Sequence, residues 1–493
     1  MGGLLEEILR RRGAVQGRIK KGNLMKTRIL SLILTIALLL SAFAGCSSDT
    51  ETPKDIPDNT QTGTSPDAPE TEPDYSWFTF PEETGKLTVY TAGAEFASVM
   101  DPAIRRFEEM YPETEVSYQT YDEDEYKTML RTEIAAGKGP DLVLFKSNTF
   151  PDIYKTMSTD IFADLNPYFA LDEEIDLSDF LAPVMDGGIL NGKRYIVPVC
   201  YEMPLLLTTQ SILDEVGVSK DEIATFDGFC EAAARFKEKH LDADLYIDLC
   251  GGFPPETVYI RTMYRNLGFN LIDYSTGTVT VDENRFRQCM DTIKLYYDPD
   301  YDVTDTSKEQ SEGYYQGGAL KDRLCLFDNF STSSFSMNRG SSSYLAVNGE
   351  SAVLFAQSNQ NDGVTAEMGL CVAIPNGSVN KSAAWKLLKI LLSDEIQGGH
   401  DENLYGHSYF WTGFPVRLAS FQSFHGVDDD YWEESEALQN YVTILQSPTE
   451  ALMIPNIYRQ YISDEMMPYI KGEKAWDECW QQFLNTLELY KDE

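Results

Sequence analysis

The chain is 493 residues long, enough for two or three domains around a large buried core. Its 40 Lys and Arg against 79 Asp and Glu give a formal charge of −39, the wrong sign for coating phosphate backbones, so a general nucleic-acid binder is excluded. With 42% hydrophobic and 12% aromatic residues, the composition builds a packed interior rather than a disordered chain.

In chain order, the first decisive feature is Lys26 and Arg28 ahead of the apolar run Ile29 to Ala44, which ends in Phe43-Ala44-Gly45-Cys46. The run has 16 residues, short of the roughly 20 that span a bilayer, so it reads as a signal peptide over residues 1–45 rather than as a transmembrane anchor. Small residues followed by one Cys look like a bacterial lipoprotein cleavage site, although Phe43 stands where Leu is usual. Cys46 is then the lipidated first residue of a chain held on the extracytoplasmic face of the cell membrane. A basic stretch as long as residues 1–24 is unusual before a signal peptide, which points to Met25 as the translation start. Removal of residues 1–45 leaves 32 basic against 77 acidic side chains, or −45. Residues 46–85 read as the lipidated Cys and an acidic linker: Ser47 to Tyr75 is Ser, Thr, Pro, Asp and Glu with almost nothing apolar to offset its ordering entropy.

From Lys86 the pattern changes. The apolar strand Leu87-Thr88-Val89-Tyr90 and a small-residue loop precede a helix in which Ile104, Phe107, Met110 and Tyr111 recur at helical spacing, with Asp101-Pro102 expected as its cap and first turn. A strand at 115–118, a helix near 125–136 and a strand at 142–145 follow, and this alternation predicts a mainly parallel α/β sheet. The glycines of Ala135-Ala136-Gly137-Lys138-Gly139-Pro140-Asp141 follow a helix instead of preceding one, so they do not form a phosphate loop. A further strand is expected at 245–249, and Ala475, Cys479, Phe483, Leu487 and Tyr490 mark one face of a C-terminal helix.

Beyond Cys46, seven scattered Cys and four His show no CxxC and no Cys/His cluster, so buried thiols are expected and no metal site or cofactor is assigned. Asp298, Asp300, Asp302 and Glu309 match calcium-loop positions, but Val303 replaces the turn glycine, and a solvated acidic loop is the preferred reading.

The order of strand, helix with Phe107 and Tyr111-Pro112, strand, helix and AAGKGPDLVLF resembles the extracellular solute-binding proteins of family 1, which supply sugar ABC importers. The resemblance continues through Gly192-Lys193-Arg194-Tyr195-Ile196-Val197-Pro198, Ala224-Thr225-Phe226-Asp227-Gly228-Phe229, Tyr315-Gln316-Gly317-Gly318-Ala319, the helix from Ala384 to Gln397, and Gly413-Phe414-Pro415-Val416-Arg417. It implies two α/β lobes, each a mainly parallel sheet flanked by helices, with a ligand cleft at the hinge. The lobes are expected at 86–200 with 350–410, and 201–349 with 411–493. It also implies a monomer that captures a carbohydrate and passes it to permease subunits, with no covalent chemistry.

Sugar recognition needs flat rings to stack on C–H faces and carboxylates or amides to bond hydroxyls. By resemblance and by position at strand ends, the candidates are Glu95, Phe145, Asn148, Tyr201, Glu202, Phe253, Glu256, Asp328, Asn329, Phe330, Trp411 and Tyr458. Each ring has core packing as its alternative. Two rival functions stay open at this point. A secreted glycoside hydrolase would exploit the abundant carboxylates, and a surface receptor or adhesin would bind protein.

Overall fold

The structure is a computed structural model that describes residues 73–246, 259–260, 263, 267–268, 271–300, 318–328, 346–347, 350–401, 407–408, 413–423 and 436–492. The signal peptide, Cys46, most of the acidic linker and the Asp302 and Glu309 positions lie outside these residues.

The first lobe opens with β1 (Lys86–Ala92), α1 (Gly93–Met110), β2 (Glu115–Tyr121), α2 (Glu123–Ala135), β3 (Leu142–Phe145) and the short α3 (Ile153–Met157). The chain then runs through β4 (Val197–Pro198) into β5 (Cys200–Glu202) and β6 (Leu205–Thr209). Next come α4 (Phe226–Lys239), β7 (Asp244–Tyr246), the hairpin of β8 (Ile272–Asp273) and β9 (Thr278–Val279), α5 (Glu283–Leu295) and β10 (Cys325–Phe327). The remainder is β11 (Glu350–Ala356), β12 (Thr365–Met368), β13 (Cys371–Ala373), α6 (Lys381–Leu391), β14 (Phe414–Pro415), β15 (Glu450–Leu452), α7 (Asn456–Ile470) and α8 (Trp476–Asp492).

The first lobe's sheet has the order β2-β1-β3-β13-β4, with β1 parallel to both neighbours and β13 antiparallel to β3 and β4. In the second lobe β7 and β10 pair parallel, β11 pairs antiparallel with β6, and a bridge between Leu207 and Asp328 ties the two pairs together. Between the lobes a four-stranded sheet, β14-β5-β12-β15, gathers the chain crossings. The lobe division read from the sequence placed 350–410 with the first lobe. Pairing of Ala352 with Thr209 and of Ala356 with Leu205 puts β11 with the second instead, and the return crossing comes at β12.

Helix α1 corrects the expected start at Asp101-Pro102: it begins at Gly93 and carries Pro102 inside. Phe96, Val99, Met100, Ala103, Ile104 and Phe107 form one buried stripe across the proline, and that burial outweighs the single backbone bond a proline forfeits. The Gly-Pro-Asp segment is equally structural. Buried Asp141 accepts hydrogen bonds from Thr88 N (2.8 Å), Ser378 Oγ (2.7 Å) and Asn380 Nδ2 (2.9 Å), tying β1 to the loop before α6. Gly137 turns the chain at φ +65°, in the left-handed region that glycine favours.

The linker ends earlier than residue 85, because Phe78 and Phe80 pack edge-on against Tyr168 at 4.7 and 5.7 Å. The six described cysteines, Cys200, Cys230, Cys289, Cys325, Cys371 and Cys479, are buried, as expected of small core residues. The C-terminal helix buries Trp476, Cys479, Trp480, Phe483 and Leu487, close to the face its periodicity predicts.

Candidate functional site

In open α/β sheets ligands lie outside the carboxyl ends of parallel strands, where the main chain turns away and leaves backbone and side-chain groups converging. Here those ends belong to β1 and β3 in the first lobe and β7 and β10 in the second. Several polar positions expected from the sequence fall there or at the crossing. Glu95 lies in the first turn of α1, three residues past β1, and its side chain is outside the description.

Asn148 lies three residues past β3. Its Nδ2 donates to Glu123 Oε1 at 2.9 Å, while its Oδ1 is buried with no hydrogen-bond partner among the described residues. An acceptor in that condition is open to a hydroxyl donor. Lys146, which sequence reasoning passed over, lies 5.8 Å from the centre of the Phe96 ring and 3.9 Å from Glu123. Lys127, and then Asn148, hold the Glu123 carboxyl below its ordinary range.

At the crossing, Glu202 is half-buried at the end of β5 and stands in register with Glu367 on β12. Sequence reasoning missed Glu367, because only the pairing of strands far apart along the chain makes the two carboxylates neighbours. Asp328 follows β10 directly and is 8% exposed. Its backbone exchanges two hydrogen bonds with Leu207, at 2.8 and 2.9 Å. Burial pushes its carboxyl up to about 6, since no described side chain pairs with it.

Three expected stacking rings are corrected to interior packing. Phe145 is fully buried, lying parallel to Phe162 at 6.2 Å and edge-on to Phe150 at 5.3 Å. Tyr201 is fully buried against Phe414 and donates its hydroxyl to Leu445 O at 2.6 Å. Tyr458, 2% exposed, donates to Asp152 Oδ2 at 2.9 Å. Strand alternation and helix packing turned these rings inward, where their area contributes most. Phe253, Glu256, Asn329, Phe330 and Trp411 lie outside the described residues.

What holds the crossings together is Gln397, at the end of the motif that begins with Ala384. Fully buried, it donates through Nε2 to Val199 O (3.0 Å) and Leu391 O (2.8 Å), and its Oε1 accepts from Val416 N at 2.8 Å. One amide thus joins the chain entering β5 to the chain leaving β14 and anchors both to the first lobe. Its motif was legible in the sequence; its partners were not.

Residues 90–248 match the model of the bacterial extracellular solute-binding protein family. An arabinooligosaccharide-binding protein from Halalkalibacterium halodurans is 20% identical over 251 residues, 48% of this chain and 51% of that protein, so the chain spans about half the length of this curated relative. Among solved structures, the sugar-binding protein MalE from Xanthomonas citri aligns with a TM-score of 0.57 at 16% identity, covering 83% of this chain and 97% of that one. The GacH receptor of Streptomyces glaucescens GLA.O, solved unliganded and with acarbose, aligns at 0.50 and 17% identity over 84% of this chain and 100% of that one. At these identities the structural likeness speaks for the two-lobe fold alone. Over residues 90–248 the chain is therefore similar to the bacterial extracellular solute-binding protein family.

Proposed function

We propose that the chain is the extracytoplasmic substrate-binding component of an ABC importer, capturing a carbohydrate, in particular an oligosaccharide, between its lobes and delivering it to permease subunits in the membrane. The crossing sheet carries this reading: strands β5, β12, β14 and β15 lie between two separately paired lobe sheets and provide a hinge about which a cleft opens and closes. Similarity to the arabinooligosaccharide-binding protein and to the GacH receptor solved with acarbose supports the substrate class. Glu202, Asp328 and Asn148 supply acceptors for sugar hydroxyls. The net charge of −45 on the chain after residue 45 disfavours an anionic solute and favours a neutral one.

In this reading the protein binds and releases its ligand unchanged and is not an enzyme. It acts as a monomer, with lipid on Cys46 keeping it at the outer face of the membrane. Among the described residues no helix is long and apolar enough to cross a membrane.

The test is a melting-temperature screen of the chain lacking residues 1–45 against mono- and oligosaccharides, amino acids and peptides, because a ligand bound only by the native state raises the transition. An upward shift with an oligosaccharide recovered intact is the expected result. Recovery of cleaved product would replace this reading with a glycoside hydrolase, and the absence of any shift with small solutes would replace it with a protein receptor.

A further inference from the structure

Asp152 caps the N-terminus of α3 in the first lobe and is only 2% exposed. Carboxyl oxygens so buried are costly unless they find hydrogen-bond donors. Its two oxygens find them in different lobes. Oδ1 accepts from Tyr154 N at 3.0 Å and Lys155 N at 3.2 Å, within its own helix turn. Oδ2 accepts from Tyr274 Oη at 2.6 Å and Tyr458 Oη at 2.9 Å, the two hydroxyls being 3.3 Å apart.

Tyr274 belongs to the β8–β9 hairpin that leads into α5, and Tyr458 to the first turn of α7; α5 and α7 pack together in the second lobe. Two further contacts flank the carboxylate. Met453 N donates to Tyr154 Oη at 3.1 Å, and Lys155 Nζ donates to Tyr490 O at 2.6 Å with its ammonium 4.2 Å from the centre of the Tyr490 ring. Beside them lies a cavity of about 190 Å³ lined by Tyr154, Gly187 and Leu190 from the first lobe, Tyr274 from the second, and Ala451 and Leu452 of β15 at the crossing.

We propose that Asp152 is an affinity-setting residue outside the ligand cleft. It latches the lobes in the arrangement seen here, because a rotation about the crossing sheet separates Oδ2 from both tyrosine hydroxyls and leaves a buried carboxylate half-satisfied. A hydrogen bond to a charged acceptor biases such an equilibrium by roughly tenfold or more, so the two hydroxyls together bias it by about a hundredfold. A ligand that prefers a different arrangement binds against that bias, and its apparent affinity changes by the same factor. The effect on affinity rests on the capture reading; the effect on the lobes does not.

The experiment uses the chain lacking residues 1–45 with paired spin labels at the exposed positions Lys138 and Glu238, one in each lobe, and compares the unsubstituted protein with the Tyr274→Phe, Tyr458→Phe pair. Both substitutions keep the rings and remove only the hydroxyls; Tyr274→Phe alone is the milder variant should the pair fold poorly. The expected result is a second interlobe distance in the absence of any ligand, with oligosaccharide Kd moving by the matching factor. An unchanged distance distribution in a folded variant overturns the proposal. If no oligosaccharide binds either protein, the capture reading fails, while the distances still decide the latch.

Discussion

Replacing Asp328 by Asn tests whether a carboxyl at the end of β10 is held against its solvation preference. Burial raises its folded pKa to about 6, against roughly 3.9 for an unfolded aspartate, a gap worth about 3 kcal/mol between the two protonation states. The sign follows from which form the fold prefers. Between about pH 4 and pH 6 the native chain keeps a proton that the unfolded chain gives up, so the contribution is fully present below about pH 4 and is lost as pH rises through about 6. The amide that replaces the carboxyl cannot ionise and keeps the shape of the protonated acid. Asp328→Asn should therefore be close to neutral at pH 4 and stabilising by up to about 3 kcal/mol at pH 7.5. Denaturant unfolding at pH 4, 6 and 7.5, with the midpoint compared at constant slope, reads this directly. A stability difference that stays constant across the three values would refute the argument that this group is buried with no counter-charge among the described residues. The same substitution also addresses the cleft. If Asp328 accepts from a sugar hydroxyl, affinity falls at pH 7.5 while stability rises, two opposite signs that a purely interior residue would not produce.

Glu202→Gln should weaken oligosaccharide binding by about 10- to 100-fold in titration calorimetry with little change in the melting temperature of the free protein, and an unchanged Kd would remove Glu202 from the cleft. Gln397→Leu leaves several buried backbone groups at the crossings without partners and should cost about 2–5 kcal/mol in denaturant unfolding; a cost below about 1 kcal/mol would contradict its place as the clamp between the crossing strands. Phe145→Ala should destabilise by about 3–5 kcal/mol, whereas Phe145→Leu should leave oligosaccharide affinity intact, because the ring packs on Phe162 and Phe150. A large loss of affinity in a stable Phe145→Leu variant would restore its stacking role.

Much of the first lobe was legible because its signals are local. The helical spacing of Ile104 and Phe107, the apolar run Leu142 to Phe145 and the glycine stop before it act over a few residues, and the structure places elements there. The exception is the start of α1. A proline with an aspartate before it has the form of a cap, but Phe96, Val99 and Met100 extend the buried stripe ahead of it. Polar candidates fared differently from rings. Asn148 and Asp328 fall at strand ends because turns follow strands in sequence as well as in space. Ring orientation, by contrast, depends on which face of a strand or helix meets a neighbour, so Phe145, Tyr201 and Tyr458 turned out to be interior.

By itself the sequence determined the acidic charge, the alternation of strands and helices, the family resemblance and the chemistry available at strand ends. Only the tertiary structure decided that β11 stands with the second lobe, that Glu367 lies beside Glu202, that Gln397 clamps the crossings, and that Asp152 divides its two oxygens between lobes. The physical reason is distance along the chain. Tyr274 and Tyr458 reach Asp152 across 122 and 306 residues, and no local propensity encodes a contact whose partners are brought together only when two sheets have formed and the strands between them have paired.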